Sequence, residues 1–190
     1  MKFLLPFLLI FSLNTFAEDS FKIWGGVFSK SKINNKVSFW IEDQLRLNGD
    51  KIAAGQFLFR TGPLIQINES QEVGLLYAFI KTGNVSEHRY ALQHVLKFNS
   101  NISHRARLEM RTFEDLKPKT RARYLLRGDF NNIVIWDEVF VHITPDSDFD
   151  RNRLFLGYKS NFENFRLEYG YLSQITSNVT EHVATVYAFF

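Results

Sequence analysis

Apolar and polar residues alternate along almost the whole chain with a period of two, in runs of about ten residues separated by short polar clusters. Between residues 103 and 112, Arg105, Arg107, Glu109 and Arg111 fall on one side of an extended strand and Ala106, Leu108 and Met110 on the other, because successive side chains of a strand point to opposite faces. The next run repeats the design, with Arg121, Arg123 and Arg127 opposing Ala122, Tyr124, Leu126 and Phe130. Glu87, Arg89 and Gln93 likewise oppose Tyr90, Leu92, Leu96 and Phe98, and Arg166, Glu168, Gly170 and Gln174 oppose Phe165, Leu167, Tyr169 and Tyr171. Helical spacing is hard to find. The pattern predicts strands at residues 21–29, 36–47, 53–67 (bent at Gly62-Pro63), 72–81, 87–98, 102–113, 120–130, 133–143, 151–159, 165–174 and 180–190.

A soluble sandwich also alternates, but its polar face meets bulk water and carries mostly Lys, Thr, Ser and Glu. Here the polar faces combine Arg with Glu, residues suited to bidentate bonding across strands in a confined space, and the opposite faces are rich in aromatics. Strands satisfy their backbone groups in a bilayer only by closing on themselves. The expectation is an all-β fold, an antiparallel transmembrane β-barrel with an apolar outside and a charged lumen. The lumen network would hold Glu42, Glu87, Arg89, Gln93, Arg105, Arg107, Glu109, Arg111, Arg121, Arg123, Arg127, Glu138, Arg153, Arg166 and Glu168.

Bacterial single-chain barrels have even strand numbers and both chain ends in the periplasm. Short connections at residues 68–71, 99–101, 131–132 and 160–164 are assigned to one mouth, and longer ones at 82–86, 114–119, 144–150 and 175–179 to the other. The last strand then ends on the short-turn side, where Tyr187, Phe189 and Phe190 form an aromatic terminus like the assembly signal of outer-membrane barrels. Residues 21–29 are left on the wrong side. The expectation is therefore ten wall strands, with twelve as the alternative, and a first segment that covers a mouth, enters the lumen or pairs with an end strand. Neighbouring acids at Glu42-Asp43 and Asp137-Glu138 interrupt the alternation, and a β-bulge at each would turn both carboxylates inward. His94, on an otherwise apolar face, has no account in the pattern.

Composition narrows the setting. Residues 1–17 combine Lys2, an apolar stretch interrupted by Pro6 and a small-residue end at Ala17, which reads as a cleaved secretory signal peptide. Residues 18–190 then form a single barrel domain in the bacterial outer membrane, in contact with its lipid and delivered by barrel-assembly machinery. The absence of Cys excludes disulfide scaffolds, thiolate metal sites and cysteine nucleophiles. A net charge of only +3, with both signs interspersed, argues against a nucleic-acid partner. The 20 Phe, 7 Tyr and 3 Trp against 10 Gly and 4 Pro exclude long disordered segments. No cofactor or metal site is indicated.

Three functions fit these residues. The first is a structural or narrow-pore envelope protein whose lumen is filled by arginine and glutamate, favouring anions if open. The second is a lipid-modifying enzyme of the outer rim using His88, His142 or His182, with Ser86, Asp146, Ser147, Asp148 and Glu181 close in sequence. No nucleophile motif selects among them. The third is a binding module acting through outer loops, where Asp146, Asp148 and Asp150 offer oxygen ligands for a hard cation or simply a solvated acidic loop.

Several stretches together resemble the uncharacterised bacterial family catalogued as domain of unknown function 2490. They are Glu87-His88-Arg89 with Gln93, the run from Arg105 to Arg111, Arg121 with Arg123, Asp137-Glu138 with Phe140, Asn152-Arg153 with Gly157, Glu168-Tyr169-Gly170-Tyr171 with Gln174, and His182. The resemblance spans roughly Trp24 to Phe190. It implies an outer-membrane β-barrel and brings no established activity or catalytic residues.

Overall fold

A computed structural model describes residues 20–49, 53–114 and 116–190. The expected signal peptide, residues 1–17, lies outside the described residues. The strands are β1 (Ser20–Lys32), β2 (Val37–Asn48), β3 (Ala53–Gln66), β4 (Gln71–Thr82), β5 (Val85–Lys97), β6 (Ile102–Phe113), β7 (Lys119–Phe130), β8 (Ile133–Thr144), β9 (Phe149–Asn161), β10 (Arg166–Ile175) and β11 (Thr180–Phe189). They close in sequence order into one barrel.

Among the described residues the closed wall contains eleven strands, which corrects the expectation of ten or twelve. β1 is a full wall strand. It pairs antiparallel with β2 from Lys22↔Asn48 to Lys32↔Ser38 and parallel with β11 from Ser20↔Glu181 to Phe28↔Phe189. Closure in lipid requires only that every strand edge find backbone partners. An even count is needed when all neighbours run antiparallel, and a single parallel seam removes that condition.

Connections at residues 33–36, 67–70, 98–101, 131–132 and 162–165 share the mouth at which β11 ends, and those at 49–52, 83–84, 114–118, 145–148 and 176–179 share the opposite mouth. Both mouths thus carry tight turns, so turn length does not tell them apart. Asparagine does mark the C-terminal mouth. The side-chain Oδ1 atoms of Asn34, Asn68 and Asn99 each accept bonds of 2.8–3.0 Å from backbone N–H groups two and three residues on. This local bond fixes a turn as the chain leaves a strand. Asn131 instead takes the left-handed conformation, φ 54°, that a two-residue hairpin turn demands.

Ile41, Leu45, Phe57, Leu75, Leu92, Leu108, Leu126, Leu154, Leu156 and Val186 all stand exposed on the outer wall, an apolar surface far larger than a soluble monomer tolerates. Rings border it toward each mouth, as in the aromatic girdles of membrane barrels. Near the N-terminal mouth, Tyr77 bonds His88 Nδ1 at 2.8 Å and Tyr171 bonds His182. Toward the other mouth, His94 sits 5.7 Å from the His104 ring, which stacks between Phe98 and Tyr124. That cluster, with a 3.4 Å contact from His94 Nε2 to Gln71 Oε1, accounts for a histidine on the outer face.

Neither acidic pair sits at a bulge, which corrects the second expectation. Register shifts fall at Arg46/Leu47, Thr120/Arg121 and Phe140/Val141. Uninterrupted alternation keeps Glu42 and Glu138 inward, against Arg60 and Arg123, and leaves Asp43 and Asp137 on the outer face. Asp137 is compensated there by Asn152 Nδ2, 2.8 Å away.

β3 bends at Gly62-Pro63, where the ladder to β4 is interrupted between Thr61↔Tyr77 and Leu64↔Gly74 because proline has no N–H to give. Gly62 has φ 154°, and a Cβ added there would lie 2.1 Å from the Leu75 carbonyl oxygen. Gly62→Ala is expected to destabilise the barrel by about 1–3 kcal/mol, read as a lower urea midpoint in lipid vesicles. Gly25→Ala, whose Cβ would meet nothing closer than 3.9 Å, serves as the neutral control.

Candidate functional site

Alternation on β5, β6 and β7 turns every second side chain into the lumen, and the ion pairs follow from that geometry. Glu109, 0 % exposed, accepts from Arg121 Nη2 and Arg123 Nη1, both at 2.6 Å, with Arg107 Nη1 3.8 Å away. Glu138 lies 2.8 Å from Arg123 Nη2 and 2.9 Å from Arg105 Nη2. Glu87 accepts from Arg89 Nε and Arg111 Nε at 2.6 Å each, and Glu168 bridges Arg127 and Arg166. Gln93 accepts from Arg107 Nε at 3.1 Å. Carboxylates are thus shared between arginines, an arrangement forced by arginine excess, because a buried charge without a partner is prohibitively costly.

Residues beyond the expected network complete it. Arg60 Nη1 reaches Glu42 at 2.7 Å, Asp150 binds Arg121 Nη1 at 2.6 Å and Arg151 Nη2 at 2.9 Å, and Asp129 joins Arg127 to Lys159. Arg60 escapes a pattern search because its neighbours on the inner face of β3, Leu58 and Gly62, carry no charge. Asp150 escapes because the register shift at Phe140/Val141 breaks the period. Aromatic rings carry guanidinium groups as well. Phe140, 1 % exposed, has the guanidinium carbons of Arg121, Arg123, Arg151 and Arg153 at 5.0, 4.5, 6.0 and 4.7 Å from its centroid.

The lumen wall is not uniformly charged. Leu58, Ala78 and Ile80 form one apolar patch, Leu64, Leu76 and Ala91 with Trp40 a second, and Trp24, Val134, Phe155, Leu172 and Val183 with Trp136 a third. Between them runs a cavity of about 470 Å³, lined by ten arginines and four glutamates. Two of those arginines have only neutral hydrogen-bond partners. Arg46 donates to Gln56 Oε1 at 2.7 Å and Gln44 Oε1 at 3.0 Å, and Arg153 Nε to Gln174 Oε1 at 2.6 Å. Both lie over the Trp24 ring, at 4.0 and 4.9 Å from its centroid. The indole N–H of Trp24 and the Nε–H of Arg46 are buried with no acceptor among the described residues, where an unmade hydrogen bond costs about 1–3 kcal/mol.

The three candidate histidines share the N-terminal mouth but not a site. His88 and His182 are on the outer wall, bonded to tyrosines, whereas His142 faces inward with Nε2 3.7 Å from Asp150 Oδ1. Ser86 Oγ accepts from Lys81 Nζ at 3.1 Å, not from a histidine. No group of three His, Asp or Glu side chains able to hold a metal ion is gathered among the described residues. At the C-terminus, Phe189 stacks on Phe28 at 4.7 Å, Tyr187 meets the same ring edge-on at 5.4 Å, and Phe190 is exposed.

Solved structures similar to the barrel include two porins. One, titled "KdgM porin", matches with a TM-score of 0.58 and 10% identity over 76% of this chain and 80% of that one. The other, "KdgM porin in complex with disordered oligogalacturonate", matches with a TM-score of 0.59 and 11% identity over 78% and 81%. At such identities the likeness is one of fold. No curated protein matches the chain. A family model described as "Protein of unknown function (DUF2490)" matches residues 21–184, from the second residue of β1 into β11, and so takes in the whole arginine network. The chain therefore belongs to the DUF2490 family.

Proposed function

We propose that this protein is a porin-like barrel of the outer membrane whose narrow lumen favours small anions. One observation carries the reading: ten arginines line the cavity against four glutamates, Glu109, Asp129 and Asp150 add only three more carboxylates to those arginines, and Arg46 and Arg153 are held by neutral amide oxygens. Cationic walls at low dielectric concentrate anions and repel cations. A volume of about 470 Å³ is in the range of small-molecule pockets and well short of an open aqueous channel. The apolar outer wall with its ring girdles supports the membrane setting. The solved relative in complex with oligogalacturonate, an oligomer of a uronic acid, is in keeping with an anionic cargo for this fold. In this reading the aromatic last strand, with Phe190 exposed, is the feature offered to barrel-assembly machinery.

Full-length protein reconstituted in planar bilayers under a tenfold KCl gradient tests the pore. The expected result is small discrete conductance steps with a reversal potential displaced toward that of chloride. A reversal potential displaced toward that of potassium overturns the anion preference. Silent bilayers leave a purely structural barrel.

A further inference from the structure

We infer that Trp24, Arg46 and Arg153 form a binding site for one oxyanion, the carboxylate or phosphate group of a small acidic solute, on the lumen wall beside the β1 seam. The inference rests on the reading of the lumen as reachable by anions. Other lumen arginines, such as Arg60, Arg89, Arg121 and Arg123, bond carboxylates directly. Arg46 and Arg153 are instead oriented by glutamine carbonyl oxygens. Such partners fix a guanidinium in place without cancelling its charge, which is what an anion site requires of its donors.

An independent observation points to the same spot. The Trp24 side chain is 3 % exposed, yet its indole N–H finds no acceptor among the described residues, and neither does Arg46 Nε–H. Buried donors without acceptors are rare and call for a reason. A bound oxygen supplies one, since the two donors and the Arg153 guanidinium gather around a single ring. Leu172 and Val183 back that ring, and an apolar backing strengthens each charge-assisted bond by excluding water. The three residues come from β1, β2 and β9, so the site exists only once the barrel has closed.

Trp24, Trp40 and Trp136 are the three tryptophans of the chain, and all line the cavity. A W40F/W136F barrel, reconstituted full length, leaves Trp24 as the sole emitter. Iodide is the quencher, and sodium acetate, inorganic phosphate and glucose are the competitors. The expected result is saturable protection of Trp24 by acetate or phosphate and none by glucose. Protection by acetate alone assigns a carboxylate, and protection by phosphate alone a phosphoryl group. Adding R46Q/R153Q is expected to weaken protection by at least about tenfold, the loss of charge-assisted bonds. Protection that survives R46Q/R153Q, equal protection by glucose, or no saturable protection overturns the site, even where the bilayers conduct anions. Protection in a barrel that is silent in bilayers keeps the site and removes the pore. If W40F/W136F fails to assemble, the same titration compares R46Q/R153Q with the wild type, all three tryptophans present.

Discussion

Glu109→Ala is expected to destabilise the barrel by about 3–5 kcal/mol, the usual consequence of removing one partner from a buried ion pair. The carboxylate is 0 % exposed and accepts from both Arg121 and Arg123, and its loss leaves Arg107 without its nearest counter-charge. Arg121 retains Asp150 and Arg123 retains Glu138, so the fold survives at reduced stability. The urea midpoint in vesicles and the temperature at which the folded band is lost on semi-native gels both report it. Glu109→Gln keeps the volume and one acceptor but not the charge, and is expected to fall between. A midpoint unchanged in Glu109→Ala would mean that lumen water screens these arginines and that the pairing contributes little to stability.

Phe140→Ala is expected to cost a similar amount, about 3–5 kcal/mol, through the cavity it leaves. Here the ring also separates four guanidinium groups while presenting its π face to them. Phe140→Leu fills most of the volume without the quadrupole, so the difference between the two variants divides packing from cation–π attraction. Equal midpoints for Phe140→Leu and the wild type would assign the whole effect to packing.

Strand positions were legible in the sequence because one face of each strand meets an apolar surround and the other a confined polar space. A one-residue slip would reverse every side chain. The run from Arg105 to Arg111 needed nothing else to be placed on β6. Parity was not legible, since the evenness of antiparallel barrels is no property of any local segment and β1 differs from its neighbours only in the direction of one partner. Asp43 and Asp137 misled for a related reason. Burial cost argued for bulges, but Glu42 and Glu138 already occupied the inward positions, opposite arginines that a shift would have stranded. The inner apolar patches were masked because Leu58 and Phe155 share a face with charged residues, Arg60 and Arg153 respectively. Trp24 and Arg46 gain meaning only when β9 is brought across the lumen, a relation that no spacing along the chain encodes.

The parallel seam sets Ser20 and Phe189 at opposite mouths of the barrel. An epitope fused ahead of Ser20 emerges at one mouth and an epitope fused after Phe189 at the other, so a pair of tags labels both mouths of a single barrel. By the same geometry a circular permutant is not available by a short linker. Joining these termini would mean threading a connecting peptide through an arginine-filled lumen or laying it along the apolar outer wall.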